Sequence, residues 1–183
     1  MNILSSINEV NSAIKEYREF KKKIKRKRTK ISTLTKKYSF VDKIQSTDVG
    51  DIELEIKTLE LLNCIGYETI KPKLSRDLDG YAKYNGETIG IEVKNSKGIG
   101  ENEMFQGLKY EGRNRLNGLI TISTVIVWNN AKSNQEFDDF RIKDAEIHKY
   151  GIITTKELVK GFLKVKNGKI AIDMFQKYWE VKD

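Results

Sequence analysis

The spacing of apolar residues changes several times along this chain, and each change marks an element. Between residues 3 and 24, Ile3, Ile7, Val10, Ile14, Tyr17 and Ile24 follow alternating four- and three-residue steps, which predicts a long amphipathic helix. Lys21 interrupts the series, so the stripe fits a helix packed on its own domain as well as a short coiled-coil seam. Residues 29–50 are rich in Ser, Thr and Lys and read as a connector. Leu54, Leu59, Leu61, Leu62 and Ile65 lie among acids and Lys57, a helical pattern that Gly66 would stop as a C-cap. An extended segment, 67–73, follows. The runs 79–84 and 87–94 are strand-like and are separated by Asn85-Gly86, a strong hairpin signal. Residues 102–117 predict a helix, 119–128 a buried strand and 139–150 another helix. A short strand at 151–153 precedes Thr154-Thr155-Lys156-Glu157, a capping box opening a helix to about 164. Strands alternating with helices make this an α/β chain, divided by the reading into an extension at 1–50 and a core at 51–183.

Charge adds to that division. Residues 1–50 hold 13 Lys and Arg against 5 Asp and Glu, whereas the remaining 133 residues hold 21 of each. All of the net +8 therefore sits in the extension. Its densest part runs from Lys21 to Arg28, and Lys25, Arg26 and Arg28 are candidates to lie along a phosphate backbone, displacing its counterions. A solvated helix face would carry the same charges. No apolar run is long enough to cross a bilayer and the first residues lack the layout of a signal peptide, so the expectation is a cytoplasmic protein without a membrane partner. Cys64 is the single cysteine. Among Leu61, Leu62 and Ile65 it reads as a core thiol, with no disulfide or cysteine metal cage available to it.

The hairpin brings candidate chemistry together. With a two-residue turn at Asn85-Gly86, Tyr84 pairs with Glu87 and the same register sets Asp79 opposite Glu92. Facing residues share one side of the sheet with Cβ atoms about 4.5–5.5 Å apart, where like charges repel. Alternation puts Lys94 on the side of Glu92, and Ala82, Tyr84, Ile89, Ile91 and Val93 on the other. The expectation is one apolar face and one charged face, with Gly90 leaving room beside the acids. Two convergent carboxylates suit a hard divalent cation such as Mg²⁺, which takes oxygen ligands and retains waters, and a nearby ammonium can orient an attacking water or neutralise developing charge. The same three residues could instead form a surface charge cluster. Asp77 is the rival to Asp79, but its partner in this register would be Lys94.

Leu78-Asp79-Gly80 followed by Ile91-Glu92-Val93-Lys94 resembles the signature of the PD-(D/E)xK nuclease superfamily, which includes restriction endonucleases, Holliday-junction resolvases and RecB-like exonucleases. The Pro that names the motif is absent. The resemblance implies a restriction-endonuclease-like mixed sheet flanked by helices. It implies Asp79, Glu92 and the Val93 carbonyl as ligands of Mg²⁺ or Mn²⁺, and Lys94 as the catalytic lysine. In resolvase-like members an upstream helix bears an active-site Glu eleven residues before a Gly-aromatic pair; Glu55 stands at that distance from Gly66-Tyr67, with Glu53 and Glu60 as alternatives. Gln106-Gly107-Leu108-Lys109-Tyr110 resembles the Gln-x-x-x-Tyr motif of RecB-like nucleases, with Gln106 and Tyr110 on one helix face. Lys97, Lys109, Arg113 and Arg115 flank the proposed site and are candidates for phosphate contact. The resemblance spans roughly residues 51–165 and says nothing of 1–50. His148, the only histidine, falls away from the motif.

The implied activity is that of a Mg²⁺- or Mn²⁺-dependent deoxyribonuclease, DNA before RNA and endonuclease before exonuclease, although Gln-x-x-x-Tyr tilts towards processing of ends. The competing reading is a catalytically silent nucleic-acid-binding module of the same fold. A homodimer would suit double-strand cleavage, with the N-terminal stripe as its interface.

Overall fold

The computed structural model describes residues 15–16, 18–25, 38–72 and 77–176, with the backbone alone at 101, 103 and 106–108. The chain divides into two units, residues 1–39 and 40–183. In the first, residues 15–16 and 18–25 are helical; Ile3, Ile7, Val10, Ile14, Tyr17, Arg26 and Arg28 lie outside the described residues. The second begins with a short helix, α1 (Phe40–Ile44), where the sequence reading has a connector. Val41, Ile44 and Val49 are buried, so residues 40–50 contribute to the core of this unit, which starts at residue 40, eleven residues upstream of the expected 51.

Helix α2 (Asp51–Ile65) ends as predicted on Gly66, whose φ of 115° is left-handed and whose N–H returns to the last turn. It buries Leu54, Leu59, Leu61, Leu62 and Ile65. Three antiparallel strands, β1 (Glu68–Ile70), β2 (Gly80–Tyr84) and β3 (Glu87–Lys94), follow. The turn between β2 and β3 has Asn85 at φ 51° and Gly86 at φ 83°, the left-handed pair of a type I′ hairpin. Tyr84 pairs with Glu87 and Gly80 with Ile91. Helix α3 (Glu101–Leu116) leads into β4 (Thr124–Trp128), α4 (Asp139–His148) into β5 (Gly151–Thr154), and α5 (Thr155–Lys166) and α6 (Ile172–Gln176) close the unit. The Thr154 hydroxyl caps α5 by accepting from the Glu157 N–H.

The sheet has the order β1-β2-β3-β4-β5, antiparallel up to β3 and parallel from β3 through β5. β4 is five residues shorter at its start than the apolar run suggests. Residues 119–123 instead bond outwards: Thr121 and Ile122 donate to the Thr88 carbonyl, and the Arg115 guanidinium holds the Ile122 carbonyl.

Both faces of the sheet are packed. On one, a side chain at Gly80 would meet Leu59 of α2 at 2.5 Å. On the other, Ile126 and Trp128 join Ile99, Met104, Ala145 and Tyr150 in a buried cluster. Ile126 and Trp128 are the register partners of Glu92 and Lys94. The face that bears the Glu and the Lys, where hairpin alternation predicts charged residues alone, is therefore the polar end of a second apolar layer. Gly90 makes room for Leu78 and Ile120 there, whose side-chain atoms stand 2.4 and 2.9 Å from where its Cβ would be, and not for the acids. Cys64 is half-buried, lining a separate mostly apolar cavity beside Phe40 and Ile56, so it is a peripheral thiol more than a core one. Among the described residues no helix is long and apolar enough to cross a membrane.

Candidate active site

A polar cavity of about 290 Å³ opens where α2 begins and β3 ends, lined by Asp51, Glu55, Asp79, Glu92, Val93, Lys94, Asn95 and Ser96. Strand β3 supplies Glu92 and Lys94 from one row. Asp79 enters one residue ahead of β2, and the Val93 N–H donates to its Oδ2 at 2.7 Å, tying the side chain to the β3 backbone. From α2 come Asp51 and Glu55, four residues apart and hence on one helix face.

Glu92 is 3% exposed. The Lys94 ammonium donates to its Oε1 at 2.6 Å, while Oε2 is buried and has no hydrogen-bond partner among the described residues. An uncompensated carboxylate oxygen in the interior is costly. Burial raises the Glu92 carboxyl above its ordinary range, against the opposing effect of Lys94. Burial, and then the charge on Glu92, push the Asp79 carboxyl up to about 7. The site thus holds two acids in surroundings that disfavour their ionised forms, with the Lys94 ammonium bonded to one of them. Perturbation of this kind concentrates where chemistry is done.

Asp77 behaves in the opposite way. Burial acts to raise its carboxyl, but the Tyr81 hydroxyl at 2.7 Å, the Leu78 N–H at 2.8 Å and the Asn114 amide at 2.9 Å all donate to Oδ1, and the result lies below its ordinary value. That carboxylate is satisfied and holds α3 to β2, which leaves Asp79 as the acid facing the cavity.

Of the three acids weighed on α2, Glu55 lines the cavity; it is ion-paired with Lys71 at 2.6 Å. Glu60 bonds Lys57 at 2.9 Å, away from the site. Asp51 was not foreseen, although its spacing from Glu55 could have suggested it. Among the described residues no three His, Cys, Asp or Glu side chains converge to hold a metal ion by themselves. Asp79 and Glu92 are the pair that could hold a cation, with other ligands coming from backbone, water or substrate.

The flanking residues fare differently. Tyr110 is not among the residues lining the cavity; it packs against Leu78, Tyr81 and Ile120. The Gln106 side chain lies outside the described residues. Arg113 stacks over the Tyr110 ring and sits 3.9 Å from Asp77. Arg115 bonds Glu111 at 2.7 Å, and buried Glu111 also accepts from the Thr124 N–H at 3.1 Å. These two arginines are engaged in fastening α3 to the sheet. Lys97 and Lys109 are exposed and outside the cavity, and Lys25 lies exposed in the first unit. His148 is the last residue of α4 and stands 3.1 Å from Asp144.

Two solved structures share this fold. Restriction endonuclease FokI superposes with a TM-score of 0.61 at 15% sequence identity, covering 78% of this chain and 29% of the FokI chain. FokI bound to DNA superposes with a TM-score of 0.58 at 15% identity, covering 76% and 28%. The fold is restriction-endonuclease-like. This chain spans less than a third of FokI's length, and at this identity the likeness to FokI is one of fold. No protein-family model matches the sequence, and no curated protein sequence matches it either.

Proposed function

We propose that this chain is a nuclease of the PD-(D/E)xK kind that hydrolyses phosphodiester bonds in DNA, cutting internally, with Asp79, Glu92 and Lys94 as its catalytic core. The observation that carries the reading is the buried Glu92 carboxylate, bonded through one oxygen to Lys94 and left without a partner at the other. An interior acid in that state suits a cationic ligand. Asp79, raised towards neutrality by burial and by Glu92, fits the same ligand. Asp79, Glu92 and the Val93 carbonyl would hold Mg²⁺ or Mn²⁺, with water and a substrate phosphate completing the shell. Bound there, the cation would supply Lewis acidity and a water of lowered pKa.

The chain's own groups do the rest. The Val93 N–H fixes the orientation of the Asp79 carboxylate. The Lys94 ammonium, shielded by the site walls, offers donors towards an attacking water and neutralises negative charge that builds on the phosphoryl oxygens. Glu55, held by Lys71, adds negative potential at the cavity rim and could take up a ligand role if that pair opens. The restriction-endonuclease-like fold supports the reading, and FokI in one of its structures is bound to DNA.

Incubating closed-circular and linear DNA with wild type and with Lys94→Ala, in Mg²⁺, Mn²⁺ and EDTA, tests it. Circles should be opened by wild type with either metal and left intact with EDTA or by the variant, whose folding is checked by circular dichroism. Loss of linear DNA alone would make the enzyme an exonuclease. Retention of DNA without cutting under both metals would replace the proposal with a silent binding module.

A further inference from the structure

The parallel strands β3, β4 and β5 end in register, Lys94 beside Trp128 and Trp128 beside Thr154. The Asn129 backbone N–H still donates to the Lys94 carbonyl at 2.8 Å, and the next residue on each strand, Asn95, Asn129 and Thr155, extends the alignment through its side chain. The Thr155 hydroxyl donates to Asn129 Oδ1 at 3.3 Å, and the Asn129 amide donates to Asn95 Oδ1 at 2.9 Å. The Asn95 amide then donates to the Asp51 carboxylate at 2.9 Å and to the Val49 carbonyl at 2.8 Å. A second branch runs from the Asn129 amide to the Ser46 carbonyl at 3.1 Å. Asn129 and Thr155 are fully buried, where a row of amides is kept only if each group is satisfied. Helix α2 has no side-chain cap of its own at Gly50; the bonds to Val49 and Asp51 do the fastening that a cap would otherwise do.

We infer that this Thr155–Asn129–Asn95 ladder is the positioning device of the site. It fixes the first turn of α2, with Asp51 and Glu55, against the strand end that bears Glu92 and Lys94, and so sets the width of the cavity between them. The inference deepens the proposed function and rests on it for its consequence, the affinity for a divalent cation. Asn95 and Asn129 are positioning residues: they act through Asp51 and the start of α2.

The test uses the full chain and two readouts, amide hydrogen exchange and Mn²⁺ binding by calorimetry, on wild type, Asn95→Ala and Asn95→Asp. Exchange should quicken within residues 46–56 in both variants while β4 and β5 stay protected. Mn²⁺ should bind about tenfold more weakly, the size of effect typical for groups that orient ligands. Unchanged exchange at 46–56, or a rise spread equally over β4 and β5, would overturn the ladder as a local device. Local loosening with Mn²⁺ affinity equal to that of wild type would overturn its role in the site. Were wild type to bind no Mn²⁺ at all, the cation reading would fall with the consequence drawn here, while the exchange result would still decide whether the ladder holds α2.

Discussion

At the scale of single residues, the site is defined by acids placed where ionisation is unfavourable. Asp79 has a folded-state pKa of about 7 against an ordinary 3.8. Between those values the unfolded chain has lost this proton and the folded chain keeps it, so this residue's contribution favours folding most at low pH and is lost as pH rises through about 7. Without divalent cation, the Asp79→Asn variant should therefore match wild type near pH 4 and become the more stable of the two by pH 8. The difference is on the order of 2 kcal/mol after discounting for water reaching the half-buried carboxyl. Thermal denaturation of both proteins across this range in EDTA measures it, and a gap that stays constant with pH would sink the assignment. Lys94 carries the opposite liability. Its side chain and that of Glu92 are 12% and 4% exposed, and removing one partner of a buried pair costs about 3 kcal/mol because the other is stranded. Lys94→Ala should lose roughly that amount, and adding Glu92→Gln should restore part of it, giving a non-additive cycle in urea denaturation. Strict additivity would mean that the pair is uncoupled.

At the scale of elements, what could be read from the sequence and what could not separate along local and non-local lines. The Asn85-Gly86 turn, the Gly66 stop and the Thr154 cap are each specified within four residues, and the hairpin register follows from the turn alone, which is why Asp79 could be set beside Glu92 before any fold was known. The parallel neighbour could not. Nothing within 79–94 says that Ile126 and Trp128 lie next to Glu92 and Lys94, so hairpin alternation alone yields a wholly charged face with Gly90 as space beside the acids. Likewise α1 offers too few apolar positions for a period to register, and Phe40 finds its partner, Phe162, far along the chain. The Asn95–Asn129 bond joins residues 34 apart, beyond the reach of any motif. Tyr110 shows the converse risk: the spacing of Gln-x-x-x-Tyr is correct for one helix face, yet the tyrosine packs in an apolar cluster. Two glycines make the contrast measurable. Gly90→Ala forces a methyl against Leu78 and Ile120 and should cost about 1–3 kcal/mol. Gly112, helical in α3 with nothing within 4 Å of its would-be Cβ, should gain up to about 1 kcal/mol as Ala. Chemical denaturation midpoints report both, and equal effects at the two positions would contradict the packing described for Gly90.

At the scale of the whole molecule, the two units differ in charge far more than in composition. Residues 1–39 hold 12 Lys and Arg against 3 Asp and Glu, leaving residues 40–183 with 22 against 23. The unit with the proposed cutting site is thus close to neutral, and its cavity is lined by four acids and one lysine. Arg113 and Arg115, two of the four flanking cations that the sequence offers for phosphate contact, are paired with Asp77 and Glu111. On the proposed function, affinity for DNA is expected to come chiefly from residues 1–39, with exposed Lys97 and Lys109 adding to it. Each phosphate neutralised contributes about −0.9 to the slope of log affinity against log salt on duplex DNA. Deleting residues 1–39 should flatten that slope by about 3 or more and weaken binding at moderate salt, while cleavage at low salt and high DNA concentration persists, because the proposed catalytic groups lie in the other unit. Fluorescence anisotropy over a salt series, paired with a cleavage assay, separates the two quantities. A truncated chain that binds with an unchanged slope would place the phosphate contacts on residues 40–183 and make Lys97, Lys109 and their neighbours the surface to mutate.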